Sequence, residues 1–500
     1  MISGNRRAAK RVASAIAALA LTTIGGCLVG PNYQPPVTKL PMRWEGADEL
    51  RAARLSPPAA QTEVSEAVLG TWWRAFNDPV LDRLIDHALS SNLDLKVADE
   101  RVLEARAYRA MNAAQLYPTL GNAWSFTRQR YSENTPFGSF PQVFPPEYNL
   151  FEGAFDSSWE IDLFGGVRRS VEAAQAQVQA AQENLRDVRV SLLAEVARDY
   201  VDVRGLERRI EIAKGNVRDQ ESSLALTRDR FQMGFAPEVD VSQAKSLLLA
   251  TETEIPALHT QLLQSIHRLG VLLGEEPNAL RTELLHTAPI PGAADPDAIA
   301  VRIPVGLPSD LLRRRPDIRA AERELAAATA QVGVATAAFF PSFSLTGTVG
   351  LQSLAVTDFL AGASRFWTVG PTLNLPIFEG GLLRANLAAQ NAKEREAFFT
   401  WRKTVLGALE EVDDKLTAYA DERSRHALLL ADVAANRRSA DLAQDRYIHG
   451  FGSYLAVLDA RRSLYDAEDQ LVQSDQNLVV DLIAIYKALG GGWPLPPAGA

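Results

Sequence analysis

The hydrophobic residues of this chain follow a period of two in four short segments. Residues 151–163 are the clearest case, since the odd positions are mostly large and apolar and the even positions are mostly acidic or small. Such alternation is typical of a β-strand with one apolar face. The pattern recurs in residues 343–352 and 367–377 and, more weakly, in 119–131. We therefore predict strands at about 119–131, 149–163, 342–353 and 365–377.

Each predicted strand is long enough to cross a bilayer when tilted, which takes about 9–11 residues. A soluble sheet packed on a core also produces such alternation. Two hairpins isolated by long helices would, however, leave exposed edges with no second sheet to cover them. Four strands cannot close a membrane barrel, because the smallest barrels have about eight. The pattern thus favours a barrel that several chains build together.

A second pattern, with a period of seven, fills the proline-free stretch that follows residue 147. Its apolar positions run from Val171 to Leu192, shift by four residues, and continue from Val196 to Phe231. Heptads with a four-residue stutter are typical of a long coiled-coil helix. A helix over 167–233 would be roughly 100 Å long at about 1.5 Å per residue. Its other faces are rich in Ala, Gln, Glu and Arg, so we expect it to lie in water.

An internal repeat relates the two halves of the chain. Residues 230–235 recur at 446–451 with an offset of 216, and an offset of 223 aligns residues 94–118 with 317–341. The proline-rich residues 277–308 lie between the copies. The predicted organisation is a signal segment (1–26), an N-terminal strap (27–75), repeat 1 (76–275), an equatorial linker (276–308), repeat 2 (309–490) and a C-terminal tail (491–500).

Two glycines mark the ends of the long helices. Gly234 and Gly450 are each followed by an aromatic residue, Phe235 and Phe451, and then by a second helical stretch. We predict that both glycines are helix caps in the left-handed conformation. Phe235 and Phe451 would then lie at exposed hairpin tips, roughly 100 Å from the strands. An aromatic side chain there is a candidate docking contact, and a place in the core is the alternative.

The N-terminus is typical of a secretory signal. A basic segment, 5–11, precedes the apolar residues 12–24, which are too few to span a bilayer. Gly25 and Gly26 then precede Cys27, the only cysteine of the chain. This arrangement resembles a bacterial lipobox, which implies N-acyl and S-diacylglycerol groups on Cys27; a plain signal with an incidental cysteine is the alternative. Two or three acyl chains would anchor the chain stably.

Composition excludes several classes of function. A net charge of −9 argues against nucleic-acid binding, one cysteine excludes a disulfide framework, and six histidines leave little for metal capture. No apolar run of 18 residues follows residue 26, so no helical membrane span is expected. No nucleophile elbow, phosphate loop or zinc-protease motif occurs, and His259 and His267 lack a third ligand. We expect neither catalysis nor a cofactor.

Several segments together resemble the outer-membrane factor (TolC-like) family, in particular its lipoprotein branch serving resistance-nodulation-division (RND) efflux pumps. The matching residues are Cys27 with 29–33, then 72–73 with 76–81, 306–322 and 486–493. The resemblance implies an α+β homotrimer. Its twelve-stranded outer-membrane β-barrel would continue into a long periplasmic α-helical barrel with a mixed equatorial collar.

The resemblance also implies the partners and the site residues. The chain would be the exit duct of a tripartite efflux system in the outer membrane of a Gram-negative bacterium. Its helix tips would meet a periplasmic adaptor, which joins it to the inner-membrane RND pump. Asp459 matches an acidic ring that narrows the closed end, while Asp240 and Tyr447 match positions that tie neighbouring tip helices together. Gly452 stands where one branch of the family has an arginine partner.

Two other interpretations stay open at this point. A duct for a type I protein-secretion system shares the architecture, and a lipid-anchored periplasmic coiled-coil scaffold would have no barrel. The lipobox, the strap and residues 306–322 favour efflux. The transported substrate cannot be inferred from the chain, because a passive duct conducts what its pump selects.

Overall fold

The computed structural model describes residues 28–38, 40–41, 43–45, 69–132, 134, 147–294, 296 and 308–493. The predicted signal segment, Cys27 and residues 494–500 lie outside this range. Nine α-helices and four strands fall within the described residues. The helices are α1 (Pro79–Ser91), α2 (Leu93–Ala114), α3 (Gly166–Gln232), α4 (Glu238–Leu272), α5 (Arg281–Leu284), α6 (Pro308–Arg314), α7 (Pro316–Ala337), α8 (Leu382–Ile448) and α9 (Tyr454–Ala488). The strands are β1 (Thr119–Arg130), β2 (Glu147–Ile161), β3 (Ser342–Ser353) and β4 (Arg365–Asn374).

The helices of the two halves correspond in length. α2 and α7 each have 22 residues, α3 and α8 each have 67, and α4 and α9 each have 35. Their starting residues differ by 223 for the first pair and by 216 for the other two pairs, which are the offsets of the sequence repeat. The long helix begins and ends one residue before the predicted 167–233.

The four strands form one antiparallel sheet in the order β1-β2-β3-β4. Strand β1 ends one residue before the end of its predicted span, and β2 and β4 differ from their predicted spans by two residues or more. β2 runs from 147 to 161 and so ends two residues before the predicted end. It ends there because the next residue, Asp162, caps α3: its carboxylate accepts the Val167 and Arg168 backbone N–H groups at 3.2 and 2.9 Å. β4 ends at Asn374, shortly before Pro376, which has no N–H for the ladder.

The register gives the sheet two chemically different faces. The polar face carries three acids of β2, and the Asp156 carboxylate there accepts a hydrogen bond from the Thr348 hydroxyl at 2.8 Å. The apolar face carries large side chains that are exposed in the single chain, among them Trp124 (68 %) and Trp367 (76 %). The indole of Trp124 lies over Gly153, the residue that pairs with it, where a Cβ atom would come within 2.5 Å of the ring.

The chain divides into two compact units, and each takes segments from both halves of the sequence. The sheet unit comprises Met1–Pro36, Val102–Ala180 and Ala321–Trp401; it holds all four strands. The helical unit comprises Val37–Arg101, Ala181–Ala320 and Arg402–Ala500. A buried aromatic stack, Trp72 on Tyr486 with ring centroids 5.3 Å apart, lies in the core of the helical unit. Among the described helices, none is long and apolar enough to cross a membrane.

Candidate functional site

The two helix hairpins of the helical unit end in the same cap. Gly234 and Gly450 have φ angles of 79° and 76°, so both adopt the predicted left-handed conformation. Beyond each glycine, a phenylalanine N–H donates back to the carbonyl of an arginine five residues earlier, at 2.8 Å in both hairpins. The glycine N–H groups donate to the residues three positions earlier at 3.0 and 3.1 Å. This pair of hydrogen bonds is a Schellman motif, which satisfies the last carbonyls of α3 and α8.

The aromatic residues after the caps lie on the surface and not in the core. Phe235 is 71 % exposed and Phe451 is 76 % exposed. Neighbouring apolar side chains at the tips, Met233, Val239, Ile448 and Leu455, are exposed as well. Exposed apolar groups clustered at one place often mark an interaction surface. A docking role for these phenylalanines stays a prediction.

Asp240 and Tyr447 come into direct contact, although they belong to different hairpins. The Tyr447 hydroxyl donates to the Asp240 carboxylate at 3.4 Å. The Tyr447 ring is 4 % exposed and packs edge-on against Tyr454, with ring centroids 5.3 Å apart. Both tyrosines belong to an apolar cluster with Leu224, Ala244, Leu247, Leu248, Val457 and Leu458. The contact therefore joins α4 to α8 at the edge of a buried core.

Burial shapes the electrostatics of this pair. Burial raises the pKa of the Asp240 carboxyl, while the hydrogen bond from Tyr447 and the nearby Arg230 charge oppose that rise. Burial also raises the pKa of the Tyr447 hydroxyl, and the Asp240 charge adds to the rise. Tyr447 is therefore a neutral donor at physiological pH, and Asp240 is easier to protonate than an ordinary aspartate.

Arg230 is a third member of this network that the sequence analysis did not identify. Its guanidinium carbon lies 4.8 Å from the centre of the Tyr447 ring, and its Nη1 donates to the Ile448 carbonyl at 2.7 Å. Arg230 thus connects the end of α3 to the end of α8. The repeat gave a signal, because Arg230 and Arg446 are equivalent residues beside the two caps.

The structure does not bring Asp459 into the Asp240–Tyr447 pair. Asp459 lies on α9 directly after the buried Val457 and Leu458, and its own side chain is exposed. Within the part of the chain that the structure describes, no hydrogen bond or ion pair joins it to Asp240 or Tyr447. At Gly452 a Cβ atom would lie 3.3 Å from Cβ of Arg446, and Arg446 itself donates to the Phe451 carbonyl at 3.3 Å.

The segment that follows Cys27 is fixed to the sheet unit. Arg169, 1 % exposed, donates to the carbonyls of Val29 and Gly30 at 3.1 and 3.3 Å, and to the Asn32 side chain at 2.7 Å. The Tyr33 hydroxyl donates to Glu322 at 3.0 Å. The residues of the lipobox-like segment that can be described are therefore held against α3 and α7. Cys27 itself lies outside the described residues.

Among the residues that the structure describes, no group of three His, Cys, Asp or Glu side chains is placed to hold a metal ion. The Nε2–H group of His267 donates a hydrogen bond to Oδ1 of Asn278 at 3.0 Å.

Comparison with known proteins identifies the family. The model of the outer membrane efflux protein family matches residues 84–275 and 307–491. Nodulation protein T of Rhizobium leguminosarum bv. trifolii is 31 % identical over 95 % of this chain and 97 % of its own length. The solvent efflux pump outer membrane protein SrpC of Pseudomonas putida is 32 % identical, with the same two coverages. The solved structure of the outer-membrane channel OprN is 34 % identical and superposes with a TM-score of 0.84, over 94 % of this chain and all of that one. This chain therefore belongs to the outer membrane efflux protein family.

Proposed function

We propose that this protein is the outer-membrane exit duct of a tripartite efflux system. In this assignment it passively conducts substrates that an inner-membrane RND pump delivers through a periplasmic adaptor. Membership of the outer membrane efflux protein family carries the proposal. The family is one of channel proteins and not of enzymes, which agrees with a chain that lacks recognisable catalytic motifs.

The exposed apolar face of the sheet supports a place in the outer membrane. Large apolar side chains at every second position are costly in water and favourable in lipid. The opposite face carries acids and threonines, as the wall of a water-filled channel requires. β1 and β4 are the two edges of the sheet, so each presents backbone groups that another strand could pair with.

Closure of this sheet calls for further copies of the chain. One copy contributes four strands, whereas the smallest membrane barrels have about eight strands. A homotrimer in which β4 of one protomer pairs with β1 of the next would give twelve strands and no free edge. The same threefold axis would assemble the long helices into a periplasmic barrel.

The hairpin tips are the proposed periplasmic end of the duct. The exposed Phe235 and Phe451, held by the caps at Gly234 and Gly450, would contact the adaptor. Asp240, Tyr447 and Arg230 would hold the two hairpins together in the closed state. Three Asp459 carboxylates around a threefold axis would form the acidic constriction. Their converging negative charges would attract cations.

The lipid anchor of the proposed duct is Cys27. Leu28 lies close to Gly165, where a Cβ atom would come within 2.5 Å of the leucine side chain, just beyond the end of β2. An acyl chain on the preceding residue would therefore enter the membrane leaflet beside that end of the sheet. Cys27→Ser is expected to abolish labelling of the protein by radioactive palmitate, and undiminished labelling would refute the anchor.

Single-channel recording tests the constriction. Asp459→Ala is expected to raise the conductance of the protein in a planar bilayer and to lower its selectivity for cations. Asp432→Ala, which removes another exposed carboxylate, on α8, is the matched control and should leave both unchanged. Unchanged conductance and selectivity for Asp459→Ala would exclude the ring.

Two further experiments test the assembly and the pathway. The duct predicts a detergent-resistant trimer with heat-modifiable migration on SDS gels. Extraction by alkaline carbonate without detergent would instead indicate a lipid-anchored scaffold. Deletion of the gene should increase susceptibility to drugs, dyes or solvents; a defect confined to protein export would favour a type I secretion duct.

A further inference from the structure

The basic residues of the sheet have an uneven distribution. The four strands contain three basic residues, Arg128, Arg130 and Arg365, and no lysine. Arg128 and Arg130 have the same parity on β1 as Trp124 and Phe126, so they lie on the apolar face. Arg365 pairs with Leu351 and shares its face with Trp367. All three arginines thus lie on one face and at one end of the sheet, the end remote from the long helices.

The arginines begin where the apolar band ends. On β2 the apolar face runs from Ile161 to Phe151, which covers about 26 Å along the membrane normal at ~3.4 Å per residue and a tilt of ~40°. The apolar band of a membrane barrel is about 25 Å tall. Phe151 pairs with Phe126, and Arg128 is the next residue of β1 on that face. In a membrane barrel built on this sheet, the three guanidinium groups would therefore lie at the depth of the lipid headgroups and not in the hydrocarbon.

The charges that the four described strands place on the apolar face at this edge are unequal in number. Glu147 accepts hydrogen bonds from Arg128 and Arg130 at 3.0 and 3.3 Å, which holds the two guanidinium groups side by side. It is the single acid that the strands place on this face; the other three, Glu152, Asp156 and Glu160, lie on the polar face. Arg365 has no ion-pair partner among the described residues. On this face, the described strands thus carry three positive charges and one negative charge at the end of the sheet.

The connection between β3 and β4 extends the same surface. Its two short 3-10 turns, Val356–Asp358 and Gly362–Ser364, bring the Phe359 ring to 5.8 Å from the ring of Trp124. The connection therefore folds over the apolar face, and Leu354, Val356 and Leu360 on it remain exposed. Its acid, Asp358, receives a weak hydrogen bond from the neighbouring Thr357 at 3.4 Å. Apolar side chains beside a row of arginines form an interfacial surface.

We infer that Arg128, Arg130 and Arg365 form a rim that binds the phosphate groups of an anionic glycolipid in the outer leaflet of the membrane. This inference rests on the proposed function, because it needs the apolar face to lie against lipid. Guanidinium groups bind phosphate through two parallel hydrogen bonds, which explains why the rim uses arginine and no lysine. Glu147 positions two of the three groups, and the β3–β4 connection covers the acyl chains beneath the bound headgroup.

Native mass spectrometry of the full-length protein tests the rim, with diphosphoryl lipid A as the probe. The triple variant R128Q/R130Q/R365Q is expected to retain about fivefold less lipid A than the wild type, because each charge-assisted contact contributes to affinity. Monophosphoryl lipid A should bind the wild type more weakly than the diphosphoryl form. Inorganic phosphate should not displace either, since the acyl chains also contribute. The control R218Q/R228Q/R462Q, which removes three exposed arginines of the long helices, should retain lipid A like the wild type.

Equal retention by the rim variant and the wild type would overturn the inference. Displacement by inorganic phosphate alone would also overturn it, because the site would then recognise a free anion. If the triple variant does not assemble, Arg365→Gln decides, with an expected loss of about twofold. Conductance in a planar bilayer separates this inference from the proposed function. A wild type without channel activity would refute the duct, whereas a conducting rim variant with unchanged lipid retention would refute the rim alone.

Discussion

Trp493, the last residue that the structure describes, is expected to be a strong determinant of stability. Its indole is 2 % exposed and contacts two guanidinium groups. The carbon of Arg186 is 4.8 Å from the ring centre and that of Arg319 is 5.5 Å from it. The buried Glu183 carboxylate accepts hydrogen bonds from both arginines, at 2.6 Å from Arg319. The Trp493 ring thus packs on two half-buried arginines that bind one buried carboxylate of the helical unit.

The expected cost of Trp493→Ala follows from these contacts. Truncating a buried tryptophan costs about 3–5 kcal/mol, and each cation–π contact contributes about 0.5–2 kcal/mol of that loss. The variant would also leave the Arg–Glu–Arg triad facing a cavity, so we expect about 4 kcal/mol in total. A typical domain has only about 5–15 kcal/mol of stability. Trp493→Phe keeps an aromatic face for both guanidinium groups, and we expect it to cost less than half as much.

Thermal unfolding of the detergent-solubilised protein, followed by far-UV circular dichroism at one fixed scan rate, measures this effect. The midpoint should fall by several degrees for Trp493→Ala and by clearly less for Trp493→Phe. Arg319→Gln should cost less in the Trp493→Ala background than in the wild type, because the two residues interact. An unchanged midpoint for Trp493→Ala, or equal losses for Trp493→Ala and Trp493→Phe, would refute the stabilising role of the Trp493 contacts with Arg186 and Arg319.

Three further predictions concern titration, the tip network and the caps. Burial raises the pKa of Asp481 to about 6, so its charge destabilises the folded state at neutral pH. Asp481→Asn should therefore stabilise the protein by about 1 kcal/mol at pH 7.5, after allowance for solvent screening, and the gain should shrink as the pH falls through 6. A pH-independent difference in the thermal midpoint would contradict this. Tyr447→Phe should lower the free energy of unfolding by about 0.5–1.5 kcal/mol, because Asp240 loses its hydrogen-bond donor. It should also raise the open probability of the channel in bilayer recordings. Gating identical to that of the wild type would argue against the tip network. Gly450→Ala should lower the free energy of unfolding by about 1 kcal/mol, because alanine is strained at the positive φ angle of this residue. Gly362→Ala, where a Cβ atom also meets open space but φ is not positive, should leave the stability unchanged in the same unfolding assay.

The caps show how far local sequence signals reach. A glycine at the end of a heptad pattern followed by an aromatic residue predicts a left-handed cap, and both φ angles agree. The cap depends on only six consecutive residues, so the sequence contains all the information it needs. Arg230 is different. Its contact with Tyr447 depends on how two hairpins pack, and no local pattern encodes that distance.

The strands show the same division. Alternation predicted four strands, and the described residues contain four at nearly the same positions, with differences of a few residues at the ends of β2 and β4. These ends depend on a side-chain cap and on a proline, both of which compete with the alternating pattern. The order of strands in the sheet could not be inferred from alternation, because pairing of β2 with β3 joins segments from the two halves of the chain.

The sequence by itself thus determined what depends on neighbouring residues: the two hydrophobic periods, the long helices, the repeat and the glycine caps. Only the tertiary structure decided which distant residues meet. It placed Tyr447 on Asp240, 207 residues away, and gathered three arginines at one edge of the apolar face. It also brought Trp493 into contact with two guanidinium groups. The physical reason is that periodicity reports the side of an element on which a residue lies, whereas contacts between elements depend on packing of the whole chain.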